Sequence, residues 1–304
     1  MAERRIALVT GASRGIGKVL AIWLAKAGLD VIITARSVNP GEEREHSPSV
    51  KGSDRSPLPG SLAETAAAIE ALGARCLMLP ADITDPASVA AAATTALERW
   101  GRIDVLVNCA RHTGPGHMDK IIDTPMWAID AVMRGNFFTP LQLTKLVLPG
   151  MLARRSGIII NFTSVSAVSS PAKAAGDGGW GITYGASKSA AHRLAGIIAV
   201  ETEGQGVLAY NVDPGFTWTE RIEQDMAKYG FKPDGAPPEV SAATVNWLVT
   251  APEAAQFNGR TIFAQQFCAE RGLLPGWGLA DVLPMRANLD RAGANLGEGK
   301  AVSD

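Results

Sequence analysis

Tyr184-Gly-Ala-Ser-Lys188 sets a phenol and an ammonium four residues apart, on one face if the segment is helical. A free tyrosine has a pKa of about 10 and is a poor proton donor near neutrality. A fixed positive charge beside it favours the phenolate and brings that value toward working pH. Tyr-x-x-x-Lys recurs by chance on surface helices. Here a serine cluster, Thr163-Ser164-Val165-Ser166, precedes it, and a glycine loop opens the chain.

That loop, Thr10-Gly11-Ala-Ser-Arg14-Gly15-Ile-Gly17, follows the apolar run at 6–9 and leads into a helical pattern. Small residues let the backbone approach a pyrophosphate, and the helix N-terminus supplies N–H donors and a positive dipole. In a strand-turn-helix context a dinucleotide site is expected, the plainer alternative being a tight βα turn. The next strand ends Thr34-Ala35-Arg36. An acidic residue there would bind a ribose 2′-hydroxyl. Ala35 removes it, and Arg36 with Arg14 would clamp a 2′-phosphate, so the expected cofactor is NADP(H). The plainer alternative is a solvated Arg36. Asp82 ends the third strand, where it would accept from the adenine amino group or cap a helix, a role Asp85 before Pro86 fills better.

The elements that must position these groups alternate. Strands are expected at 6–9, 30–34, 76–80, 105–108, 157–162, 207–212 and 260–264. Helices are expected at 15–27, 62–72, 86–100, 125–154, 184–203 and 239–249. The strands lack polar alternation, as in a parallel sheet buried on both faces. The expected fold class is α/β, a doubly wound parallel sheet (Rossmann fold) of about seven strands in one domain, 1–270. Residues 38–60, rich in Pro, Gly, Ser and charge, read as a mobile insertion. Residues 166–183 are rich in Gly and Ala, and 271–304 form a tail over the chain's own pocket or a neighbouring subunit.

Bulk numbers fit this reading. The chain has 304 residues, 46% hydrophobic, with a net charge of −1 that leaves no basic footprint for nucleic acid. Three cysteines, Cys76, Cys109 and Cys268, show no paired spacing, which suits a reducing compartment. Four histidines show no ligand spacing, so no metal is expected. No stretch is apolar for long enough to cross a membrane, and a cytoplasmic protein is expected.

Taken in order, these motifs resemble the short-chain dehydrogenase/reductase family over about residues 4–265. The resemblance rests on the 10–17 loop, Asp82, Asn136, Ser164, Tyr184-x-x-x-Lys188 and Pro214-Gly215. It implies hydride transfer between NADP(H) and a ketone or secondary alcohol. Tyr184 would be the general acid and Lys188 would lower its pKa. Ser164 would hydrogen-bond the substrate oxygen, with Thr163 and Ser166 close enough in sequence to be confused with it. Asn136 would hold a water in a proton relay. A residue 140 N–H would ordinarily bond the Asn136 carbonyl, but residue 140 is Pro; a simple helix kink is the alternative. The implied cofactor site comprises Gly11, Ser13, Arg14, Gly15, Ile16, Gly17, Arg36, Asp82, Ile83, Asn108, Ala110, Tyr184, Lys188, Pro214, Gly215, Thr217 and Thr219. Trp180 and Trp218 would wall a substrate pocket, or serve as ordinary packing or an oligomer contact. Met226, Tyr229 and Phe231 suggest that this pocket is partly apolar. A homodimer or homotetramer through the helices at 125–154 and 184–203 is implied as well. Rival readings are an epimerase or dehydratase on the same scaffold and a non-enzymatic NADPH-binding protein.

Two departures stand out. Asn108-Cys109-Ala110-Arg111 carries arginine where the family has glycine. With His112 it would select a polar or anionic substrate group; the simpler expectation is a side chain turned outward. Ser164 also lies farther from Tyr184 than is usual, with the extra residues in 170–181, read as a lid or pocket rim.

Overall fold

A computed structural model describes residues 4–227 and 235–282, side chains at 225–227 excepted. Tyr229, Phe231, the Met226 side chain and the tail beyond 282 lie outside the described residues.

Seven parallel strands form one sheet in the order β3-β2-β1-β4-β5-β6-β7. They are β1 Ile6–Thr10, β2 Asp30–Ala35, β3 Cys76–Pro80, β4 Val105–Asn108, β5 Gly157–Phe162, β6 Val207–Asp213 and β7 Thr261–Phe263. Parallel neighbours need crossovers, and helices supply them: α1 Gly15–Lys26, α2 Leu62–Glu70, α3 Pro86–Trp100, α4 Met126–Met133, α5 Thr139–Arg154, α6 Ile182–His192, α7 Leu194–Glu201, α8 Glu220–Ala227, α9 Pro238–Thr250 and α10 Ala264–Glu270. The fold is the doubly wound Rossmann sheet.

Strand side chains alternate between two apolar layers. Val9, Val31, Ile33, Val107 and Ile160 face α1 and α9 through Leu20, Leu24, Val245 and Leu248. Leu8, Ile32, Leu106 and Ile159 face α3, α5 and α7 through Val89, Ala93, Leu143 and Leu194. Each fully buried aliphatic contributes about 1.5–3 kcal/mol, which explains why these strands read as continuous apolar runs. Strand order reverses between β1 and β4, so the ligand crevice opens beyond their C-terminal ends.

Two expected helices are interrupted, each for a visible reason. The 125–154 helix contains a π-helical turn at Arg134–Phe138, where the Thr139 N–H bonds the Arg134 carbonyl just before Pro140. The turn accommodates a proline that can make no helical hydrogen bond. The 184–203 helix divides at Arg193 because the His192 carbonyl accepts from the Asn211 amide at 2.6 Å instead of continuing its ladder. Helices α8 and α10 have no counterpart in the sequence reading, and Ala264, expected at the end of the last strand, opens α10.

Candidate active site

Gly11 has φ +73°, and a Cβ there would lie 2.7 Å from the Ala110 Cα. A Cβ on Gly17 would lie 2.3 Å from the Gly11 carbonyl oxygen. The loop therefore tolerates no side chain at these positions, and it packs directly on the turn after β4. Thr10 locks that contact: its hydroxyl accepts from the Cys109 and Ala110 N–H groups at 3.1 and 3.0 Å.

At the end of β2, Arg36 lies 4.0 Å from Asp82. Burial opposes ionisation of Asp82, yet the Thr84 amide and hydroxyl, with Arg36 and His112 nearby, hold its carboxyl below the usual range. Asp85, not Asp82, caps α3, accepting from the Ala87 N–H. Arg14 lies within electrostatic range of Arg36, but its guanidinium already donates to the carbonyls of Pro59 and Gly60 at 2.9 Å. The Gly15 N–H also has a partner, the Glu220 carboxylate at 2.9 Å. Asn108 is buried and donates to Asn161 at 2.8 Å, which turns it into the sheet.

The chemical cluster forms at the ends of β5 and α6. Ser164 follows β5 and caps a short 3-10 turn, Val165–Ala167. The Ser189 hydroxyl bonds the Ala167 carbonyl at 2.8 Å and so ties that turn to α6. Tyr184 and Lys188 sit one turn apart on α6, and the buried Lys188 ammonium donates to the Phe162 carbonyl at 2.8 Å. Burial pushes the Tyr184 phenol up, but Arg111, Lys188 and the Ser164 hydroxyl outweigh it, and the net shift is downward. Burial also pulls Lys188 below its ordinary value. Beneath them, burial raises the Asp213 carboxyl against the Gly215 N–H and the Lys188 charge.

Asn136 lies on the π-helical turn. Its side-chain oxygen accepts from the His112 N–H at 2.7 Å, and its amide donates to Ser187 at 3.1 Å. It thus joins the loop after β4 to α6. Pro214, Gly215 and Thr217 follow β6, with the Gly215 N–H on Asp213 and the Thr217 hydroxyl on the Pro214 carbonyl. Thr219 lies against Gly15. Ser13 is buried beside the 58–60 segment, and the Ile83 carbonyl accepts from Thr139 at 2.6 Å.

Arg111 is exposed, as expected of a side chain turned outward, and its guanidinium carbon also lies 5.5 Å from the Tyr184 ring centroid. His117 meets the same ring edge-on at 4.6 Å and Trp180 at 6.4 Å. Trp180 therefore borders the cluster, while Trp218 packs on Phe216. The 170–181 segment is held to the loop before α4 through the Gly181 N–H and His117 carbonyl, 2.7 Å apart.

The 38–60 segment is not a loose insertion. Its ends are held where Leu62 and Ala63 bond the carbonyls of Ser37 and Val38 at 3.0 Å. Its middle reaches Asp119, which accepts from Ser49 at 2.5 Å and Val50 at 2.9 Å, and Arg221 on α8 donates to the His46 carbonyl at 2.8 Å. Residues missed by sequence reasoning are Glu220, Asp119, His117, Ser187 and Asp213. Only Asp213, directly before Pro214-Gly215, carried a sequence signal.

The short chain dehydrogenase family model matches residues 5–55 and 56–229. A 3-oxoacyl-[acyl-carrier-protein] reductase from Synechocystis sp. is 30% identical over 84% of this chain and 94% of its own length. Mouse dehydrogenase/reductase SDR family member 7B is 29% identical over 74% of this chain, which spans 62% of that protein. A solved metagenomic short-chain oxidoreductase in complex with NADP superimposes with a TM-score of 0.64 at 27% identity, over 85% of this chain and 96% of that one. A match of this extent makes the chain a member of the short-chain dehydrogenase family, an oxidoreductase built on a Rossmann sheet.

Proposed function

We propose that the protein is an NADP(H)-dependent carbonyl reductase, working as an alcohol dehydrogenase in reverse, with Tyr184 as the general acid or base. The observation that carries this is the assembly of Ser164, Tyr184 and Lys188 beside a glycine loop with no room for a side chain. The residues present fit the cofactor. Gly11, Gly15 and Gly17 with Ser13 and Ile16 would cradle the pyrophosphate at the start of α1. Arg36, with no carboxylate at Ala35, would take the 2′-phosphate, and Asp82 and Ile83 would flank the adenine. Ala110, Pro214, Gly215, Thr217 and Thr219 would line the nicotinamide end. The NADP complex of the similar metagenomic enzyme supports the same choice. When bound, NADPH supplies the hydride.

Tyr184 gives its proton to the carbonyl oxygen as the alcohol forms. Lys188 and Arg111 favour the phenolate that remains. Ser164 holds the substrate oxygen and stabilises its developing charge. Asn136 positions the loop carrying Arg111 and fixes Ser187 next to Lys188.

A second copy of the chain would cover the apolar side chains exposed at Ile121, Ile122, Met126, Trp127, Ile197 and Val200, giving a homodimer or homotetramer. No described helix is long and apolar enough to cross a membrane. Cys76 and Cys109, pushed up to about 12 by burial, are inert free thiols that suit the cytoplasm.

The test is cofactor oxidation by the purified protein, NADPH against NADH, over neutral and acidic ketones. Turnover with NADPH preferred is expected. NADPH binding without turnover of any ketone would favour a binding protein.

A further inference from the structure

We infer that Arg111 anchors an anionic group of the substrate, so that the preferred substrates are ketones carrying a carboxylate within the same small molecule. The inference rests on the reductase reading above for the identity of the reacting carbonyl.

The Arg111 backbone is fixed on both sides. The preceding Ala110 N–H bonds the Thr10 hydroxyl, and the following His112 N–H bonds Asn136. The side chain between them is exposed, yet it lies over the Tyr184 ring. Among the described residues, no carboxylate lies within ion-pairing distance of it. Carboxylates around the site are committed elsewhere, and Asp82, which acts on the adjacent His112, accepts from the Thr84 amide and hydroxyl. Asp119 accepts from Ser49, Val50 and Gly116. Asp213 is buried on Gly215, and Glu220 sits on Gly15.

The surroundings add positive charge. Lys188 lies behind the phenol, and Arg221 of α8 lies within electrostatic range of His112 and His117. His117, on the same ring, is held neutral by burial and by the two arginines, down to about 3, so it supplies no competing proton. A guanidinium offers a planar fork that matches a carboxylate. With the carbonyl oxygen at the Tyr184 hydroxyl and the anion at Arg111, whose guanidinium carbon lies 5.5 Å from the ring centroid, one small molecule carrying both groups would engage both residues. A neutral ketone leaves the exposed guanidinium to water and gains nothing from it.

The test compares 2-, 3- and 4-oxo acids with their methyl esters as NADPH-dependent substrates of wild type, Arg111→Gln and Arg111→Lys. Loss of the charge acts on Tyr184 for acid and ester alike, so the readout is the acid-to-ester ratio of kcat/KM. That ratio is expected to favour one acid in wild type and to fall about tenfold or more in R111Q, mainly through the acid's KM. Arg111→Lys should restore part of it, and the Kd for NADPH should stay constant. Acid and ester falling together, a wild type with no acid preference, or a weakened Kd for NADPH with the acid preference intact would each overturn the proposal. The same acids are titrated into the NADP⁺ complex by tryptophan fluorescence. Saturable binding lost in R111Q, with no turnover of any acid or ester, would keep the anchor and remove the reductase reading.

Discussion

The Lys188 ammonium donates to the carbonyl oxygen of Phe162, the last residue of β5, at 2.8 Å, two residues before Ser164. One hydrogen bond therefore sets the charge beneath Tyr184 and the strand end that delivers the serine. Substituting Lys188→Met removes the charge and leaves a buried carbonyl without its partner, at a stability cost of about 1–3 kcal/mol. Tyr184→Phe should lower reduction about 10²–10⁴-fold while sparing NADPH affinity. Stopped-flow turnover with cofactor titration separates the two effects.

The pH profile follows from the downward shift of Tyr184. Carbonyl reduction needs the protonated phenol. Its kcat/KM should be level at low pH and decline as pH rises through the lowered Tyr184 pKa, while alcohol oxidation gains over the same range. Removing the positive charge in Arg111→Gln should move both limbs to higher pH. A profile unmoved by that substitution would show that Arg111 does not act on the phenol.

Cofactor choice is expected to rest on Arg36 more than on Arg14, whose guanidinium is engaged with Pro59 and Gly60. Arg36→Ala should weaken NADPH about 10–100-fold and leave NADH nearly unchanged, as loss of charge-assisted hydrogen bonds requires. Equal weakening of both cofactors, measured by titration calorimetry, would refute this role.

Glu220 places a carboxylate on the Gly15 N–H at the start of α1, where helix N–H groups would otherwise meet pyrophosphate. Glu220→Gln should therefore tighten NADPH by a few-fold, about the 0.3–1 kcal/mol of one charge at a helix terminus. Unchanged or weaker binding would mean that Glu220 leaves this position at no cost or assists the cofactor.

Asp119 gathers Ser49, Val50 and Gly116 onto one carboxylate. In Asp119→Asn the 38–60 segment should become a preferred site of limited proteolysis, with about 1–3 kcal/mol lost from its attachment. Cleavage no faster than in wild type would show that Arg14 and Arg221 suffice to hold it.

The sheet was legible because buried parallel strands must be apolar on both faces, so Ile6–Thr10 or Gly157–Phe162 announce themselves locally. The glycine loop and the Tyr184–Lys188 pair were legible for the same reason: each spacing carries its own geometry. The π-helical turn at Arg134–Phe138 was visible only as Pro140, which signals a disturbance without its form. The roles of Glu220 and Asp119 were hidden because each depends on a partner distant in sequence, Gly15 and Ser49, while Arg111 was legible as a departure from glycine without its place over Tyr184. Arg14 is the reverse case: a residue of the expected type in the expected loop whose hydrogen bonds go to a neighbouring segment.

The 38–60 segment leaves and re-enters the fold at one place, since Ser37 and Val38 are hydrogen-bonded to Leu62 and Ala63. The sheet register does not run through it; Ala35 pairs with Pro80 and the next element is α2. In engineering terms it is a module with one socket and outer latches at Arg14, Asp119 and Arg221. Loops from other members of the family could be spliced between Val38 and Ser61, and the recipient sheet would serve as its own control for what each loop brings.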